Sequence, residues 1–294
     1  MDILVQQFIN ALAVGGTYAL VALGLAIVFS VLGLINFAHG ELLTLTGYGI
    51  VAAIAFGAPF PLAIGFGILV AAVSALTMEA IAFRPVRRAS PVVMMLTSFA
   101  VAAILRILFQ NFISARGLPV PVPAMLTGVI ELGGLQFGVI QLVSIAVSIG
   151  SLILLNRFLG RTRLGMAVRA AAEDFDTTRL MGLNANRVIA TAFAISGVLA
   201  GIAGVLWVFQ RGSVDPLMGF TPLLWAFIAV VIGGMGSLSG AVAGGFLLGL
   251  LEVSLRAYLP DPLVPYREAI ELVLVIAILF FRPHGLIPRT DTAR

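Results

Sequence analysis

Long apolar runs without period-two alternation, separated by short connections that hold most of the charge, restrict the fold of this chain more than any motif does. The runs fall roughly at 8–34, 42–57, 61–83, 92–113, 137–155, 188–209, 222–232, 240–257 and 268–281. With 61% hydrophobic and 10% charged residues and a mean hydropathy of +1.13, the chain carries more apolar surface than a water-soluble core can hide. In a bilayer every backbone polar group must be paired within the protein, which leaves helices or a closed barrel. The missing alternation excludes the barrel. The expected fold is an all-α polytopic transmembrane bundle with about eight membrane segments, between seven and nine, some of them short or broken.

Three connections collect arginine: Arg84, Arg87 and Arg88; the six arginines of 157–187; and Arg282, Arg289 and Arg294. These twelve oppose only Arg116, Arg211 and Arg267 on the other side, while Arg106 and Arg256 fall within apolar runs. By the positive-inside rule the richer side is cytoplasmic, which puts the N-terminus outside and the C-terminus inside. The opening MDILVQQFINALAVGG has no basic n-region or small-residue cleavage site and reads as a retained first helix. The runs 222–232 and 42–57 are short for a helix that must cross the hydrocarbon with about 20 residues. The parity of the charge bias requires both to span or both to re-enter. One lies in each half beside a Gly-containing turn, the arrangement of a transporter repeat with half-helices.

Every basic residue apart from the two histidines is arginine, and cysteine is absent. Without lysine there is no Walker A loop and no Schiff base; without cysteine there is no thiolate nucleophile, disulfide or Cys-based metal site. The expectation is a chain with no catalytic or metal site and no bound cofactor, so any ATP and Mg belong to a partner chain. The arginines fall at helix ends rather than in an aromatic-interleaved stripe, which argues against nucleic acid. Membrane lipid is the expected surrounding.

The densest charge, 157–187, holds Glu173, Asp174 and Asp176 as well as its arginines. Helix formers run from Val168 to a stop at Gly182 and Asn184, so a short surface helix is expected there. Val168, Ala172 and Phe175 share one face, able to lie on the bundle or to enter a partner's cleft. Glu173, Asp174 and Asp176 with Arg169 and Arg179 then form a charged rim; the bland reading is a solvated helix whose arginines set topology.

Glycines four apart, at 236, 240 and 244, at 245 and 249, and at 197 and 201, mark faces for close helix packing. The Val-Pro alternation in 114–136 predicts an extended connector. Asn36, His39 and Glu41 sit together between the first two runs, either as a gate or pathway lining or as a satisfied turn pivoting on Gly40. Glu252 and Arg256 have the spacing and order of a helical ion pair within the membrane. Arg106 shares a face with Gln110 or snorkels outward, and Glu79, one turn before Arg84, is expected to pair near the inner surface.

Three stretches carry a resemblance: GGTYALVALGLAIVFSVLGLINFAHGELLTLTGY, RAAAEDFDTTRLMGLNANRVIATAFAISGVLAGIAG, and AFIAVVIGGMGSLSGAVAGGFLLGLLE with FRPHGL. In this order the chain resembles the permeases of high-affinity branched-chain amino-acid ABC importers. Its middle stretch is similar to the EAA-type loop of ABC permeases, which seats a coupling helix in a groove of the ATPase. The resemblance implies one permease domain over 1–294 in a bacterial inner membrane, with a cytoplasmic coupling loop at 157–187. It assigns ATPase coupling to Arg169, Ala170, Ala172, Glu173, Asp174, Phe175 and Gly182. It also implies a sister permease, two cytoplasmic ATP-binding subunits and a periplasmic binding protein. The alternatives are a urea or short-chain amide permease and, from another class, an ion-coupled carrier working through Glu79, Glu252 or Glu268. A lipid-acting membrane enzyme with His39 and Glu41 as acid and base lacks any constellation to hold its electrophile.

Overall fold

A computed structural model describes residues 2–87, 89–132 and 135–287. Arg88, Arg289 and Arg294 lie outside these residues, as do the side chains of Asp176 and Arg179. The helices are α1 (Asp2–Leu32), α2 (His39–Ala55), α3 (Phe60–Met78), α4 (Pro91–Leu108), α5 (Val139–Arg161), α6 (Arg163–Glu173), α7 (Phe175–Leu180), α8 (Ala185–Arg211), α9 (Phe220–Gly233), α10 (Leu238–Tyr258) and α11 (Arg267–Phe281). Helices α3 and α4 each run on through a π-helical turn, Glu79–Phe83 and Phe109–Ile113. Among the described residues six helices are long and apolar enough to cross a bilayer. The fold is a polytopic helical bundle.

Small residues decide which helices take the centre. Gly245 and Gly249 on one face of α10 meet the backbone of α1 at Ala19 and Gly15, while Gly240 and Gly244 meet α9 at Gly233 and Ala229. Gly197 and Gly201 of α8 lie against Ala71, Ala72 and Ile68 of α3. Side chains of this size let helix backbones touch, and dispersion contacts then accumulate where lipid supplies no hydrophobic drive. Most of the apolar windows of α1 and α8 are buried, 83% and 78%, against 22%, 22% and 17% for α3, α4 and α5. Those outer helices turn Leu69, Val73, Ile104, Ile107, Ile153 and Leu154 outward, as a lipid-facing surface should. Gly236 departs from the expected four-residue series: it has φ +85° and lies in the turn before α10, not on a packing face.

The connections gather at two ends. One end holds the turn at 84–87, helices α6 and α7, and the chain after α11. The other holds the segment 114–138, which is more than the expected connector. Leu118–Pro119 pairs antiparallel with Ser213–Val214, and Val129–Leu132 pairs with Leu135–Gly138. These are called the island end and the hairpin end below.

The short helices α2 and α9 behave alike. Each starts inside the bundle, and their starts meet: the backbone of Gly40 lies directly against that of Gly219, and the Gly219 N–H donates to Thr44 Oγ1 at 3.1 Å. From this junction α2 runs toward the hairpin end, with Gly47 against Val214, and α9 runs toward the island end. Irregular backbone, 33–38 before α2 and 212–219 before α9, completes each passage. The last turn of α9 is closed by chain that follows α11: Leu286 N–H donates to Ile232 O at 2.8 Å and Ile287 N–H to Gly233 O at 3.0 Å. Those carbonyls would otherwise be left unpaired.

Candidate functional site

Two places concentrate polar groups that a membrane bundle does not hold without reason: the junction of the half-helices and the surface of α6–α7. At the junction, Asn36 forms a turn, its Oδ1 accepting from Ala38 N at 3.0 Å and its carbonyl accepting from His39 N at 3.1 Å. His39 is fully buried, with Nδ1 3.1 Å from Ser196 Oγ near the middle of α8. The Cε1–Nε2 edge of the ring rests on Gly24 of α1, where any side chain would collide with it. Phe37 stacks on Phe99 of α4, ring centroids 4.1 Å apart, and its N–H donates to Ser98 Oγ at 3.2 Å. The Asn36–Glu41 group is thus packed between α1, α4, α8 and the start of α9.

Glu41 is 1% exposed, and its Oε1 accepts from Arg106 Nε at 2.6 Å. The expected partners of Arg106 were Gln110 or the membrane surface. Instead its guanidinium turns inward, reaching across from α4 to α2 and lying 4.8 Å from the centroid of the Phe220 ring, the first residue of α9. An arginine in an apolar run gains more from a buried carboxylate and an aromatic face than from its neighbour on the helix. One cation therefore touches both half-helices.

Glu252 and Arg256 pair as their spacing predicts, Arg256 Nη2 to Glu252 Oε1 at 3.1 Å. The sequence offered no sign that Tyr18, on α1, donates to the other carboxylate oxygen at 2.6 Å. The Tyr18 ring lies beside Trp207 and Trp225, and Glu271 of α11 is buried as well. Glu79 pairs with Arg87 rather than Arg84, and Arg87 Nη1 also donates to Asn186 Oδ1 at 2.7 Å. The end of α3 is thereby fastened to the first turn of α8.

The expected single surface helix is two. Asp174 breaks it and caps α7, accepting from Thr177 N at 2.9 Å and Thr177 Oγ1 at 2.6 Å, while the residue stays exposed. The competition of Asp and Thr side chains with helical hydrogen bonds prevails over the propensity of the alanines before them. Thr162 caps α6 through Gly165 N at 3.0 Å, and Gly165 fits against the Phe158 and Leu159 backbone. Val168 and Ala172 are buried and Phe175 is half-buried, so that face lies on this chain's own bundle. Arg169, Ala170 and Glu173 point outward, with Leu180 and Met181 87% and 79% exposed and Gly182 turning the chain at φ +82° toward α8. Among the described residues no group of three His, Asp or Glu side chains could hold a metal.

Residues 7–281 match the family model described as the branched-chain amino acid transport system permease component. The chain is 33% identical over 301 residues to the high-affinity branched-chain amino acid transport system permease protein BraD of Pseudomonas aeruginosa, covering 98% of this chain and 97% of that one. It is 32% identical over 305 residues to the permease protein LivH of Escherichia coli, with the same coverage. A second permease of the E. coli system, LivM, matches at 35% identity over 153 residues, 51% of this chain and 34% of that one.

Proposed function

The chain belongs to the branched-chain amino acid transport permease family and is a multi-pass inner-membrane permease subunit, and from that membership we propose that it forms, with a sister permease, the pathway of an ABC importer for leucine, isoleucine and valine. Two cytoplasmic ATPase subunits drive it and a periplasmic binding protein loads it. The observation that carries the reading is the α6–α7 surface. One face is spent on the bundle, and the outward side exposes Leu180 and Met181 as well as the charged Arg169 and Glu173. Exposed apolar side chains rimmed by charge suit a docking surface in water.

Motion entering there has a physical route inward. Helix α7 leads through Gly182 into α8, whose Asn186 is tied by Arg87 to Glu79 in the π-turn of α3. Helix α8 carries Ser196, the partner of His39, to the junction. The junction itself acts as the gate, because two half-helices that meet end to end can part without unwinding either one. ATP and the loaded binding protein each favour one state of the bundle, so the permeant itself needs only weak contacts.

The test is co-purification of the tagged chain with the products of its neighbouring genes, in wild-type form and as Leu180→Asp/Met181→Asp. An ATPase subunit that elutes with the wild type and is lost from the variant, together with ATP-dependent leucine uptake by the wild-type assembly, is the expected result. Uptake by this chain alone, abolished by an uncoupler, would replace the reading with an ion-coupled carrier.

A further inference from the structure

At the island end a cavity of about 720 Å³ lies between the end of α1, the turn at 84–87 and the first turns of α4, α7 and α8. That is within the range of about 300–1,000 Å³ typical of small-molecule sites. Val31, Met94 and Ile189 give it apolar wall, and Arg84, Arg87 and Asn186 give it polar wall. Among the described residues no carboxylate lines it. Arg87 is held in place by Glu79 and Asn186, whereas Arg84 is exposed and has no ion pair among the described residues. The start of α8, where the backbone dipole is positive, forms one side. The lipid-facing surface runs up to this charge. Just before Arg84 the π-turn leaves Ile81 72% exposed, and Val92, Val93 and Leu96 at the start of α4 face outward.

We propose that this cavity binds the phosphate headgroup of an anionic phospholipid drawn from the leaflet at the island end. The phosphate takes the Arg84 guanidinium, whose planar fork matches its oxygens, and the Asn186 amide. Arg87 stands behind them as a fixed charge. The glycerol lies on Val31, Met94 and Ile189, and the acyl chains leave along Ile81 and Val93. A basic pocket between membrane helices at the bilayer surface suits this ligand chemistry. A zwitterionic headgroup would bring its own cation toward Arg84 and gain less. A free phosphate makes the same polar contacts but has nothing to lay on the apolar wall or on the lipid-facing surface beside it, which favours the lipid. A lipid held here ties the turn after α3 to the starts of α7 and α8.

The test is photolabelling of the full chain in detergent micelles with a phosphatidylglycerol that carries a diazirine close to its glycerol, followed by peptide mapping. Label is expected within 81–87, 91–96 and 185–189, competed by unlabelled phosphatidylglycerol but not by phosphatidylcholine or inorganic phosphate. It should fall about fivefold in Arg84→Ala, the worth of one arginine facing an anionic lipid surface. Arg84→Lys, which keeps the charge and loses the fork, should recover part of it. Arg161→Ala, in the last turn of α5 at the same end but outside the cavity, should leave it unchanged. An equal loss in Arg161→Ala would mean undirected attraction to the whole basic end and overturn the site, as would label that spares these segments. Equal competition by phosphatidylcholine would overturn recognition of the anion, and competition by inorganic phosphate would give the cavity to a soluble anion and overturn the lipid.

Discussion

The two half-helices solve the same problem in different ways. Helix α2 is secured at its start by side chains: Asn36 and Ser98 take the N–H groups of the entering turn, His39 meets Ser196, and Glu41 takes Arg106. Helix α9 has no ion pair of its own at its start, where Asp215 Oδ1 takes Leu217 N–H, Thr44 Oγ1 takes Gly219 N–H and the Gly40 backbone lies against Gly219, and its far end is closed by the backbone of Leu286 and Ile287. A start fixed by a buried ion pair is costly to disturb, whereas one fixed by neutral hydrogen bonds and close approach is less so. In the proposed gate, α2 is then the anchored half and α9 the half expected to move.

The sharpest way to break that contrast is Arg106→Ala. It strands a buried carboxylate and should cost about 3–5 kcal/mol in detergent thermal stability. In Arg106→Ala/Glu41→Gln much of the loss should return, and a double-mutant cycle with no coupling would remove α2 as the anchor. Gly219→Ala comes next, since its methyl group would overlap the Gly40 carbonyl. The start of α9 must then back away at about 1–3 kcal/mol, and ATP-driven uptake should fall further than stability does. Gly285→Ala should have a smaller effect of about 1–2 kcal/mol, because Gly285 holds φ +82° against the Gly234 backbone and a side chain would loosen the strand that closes α9. Hydrogen exchange should show the last turn of α9 opening in this variant while α2 stays protected. Ser98→Ala is the mildest, about 0.5–1.5 kcal/mol for one hydrogen bond at the turn before α2; a loss as large as that of Arg106→Ala would mean that the turn, and not the ion pair, anchors the helix.

The half-helices were legible in the sequence as short segments, because length is a local property, with spanning and re-entry both left open. Their meeting point was not, since Gly40 and Gly219 are far apart in sequence and are brought together only by tertiary packing. The same distinction holds for the charged pairs. Glu252–Arg256 follows from helical spacing, while Arg106–Glu41 joins residues 65 apart and Arg87 passes over the nearby arginine's expected role to reach Glu79 and Asn186. Arginine within an apolar run was the available signal, as it announces a hidden carboxylate without saying which one. In 157–187 the helix formers were read correctly and the break was missed, because an Asp followed three residues later by a Thr reads equally well as polar surface or as a cap. The coupling role of these residues rests on resemblance, which geometry supplements by separating the outward Arg169, Ala170 and Glu173 from the inward Ala172.

The closure of α9 by Leu286 and Ile287 also bears on how the protein is made. Helix α9 leaves the ribosome and enters the membrane well before the strand that completes it has been synthesised, so during translation its final carbonyls have no permanent partner. Until α10 and α11 have been inserted and the strand swings back beneath them, this element must be sheltered by the insertion machinery or remain at the interface. A ribosome that stalls between 258 and 284 would therefore release a chain whose α9 is unfinished, however well its first eight helices have packed, and quality-control proteases should find it by that one open end.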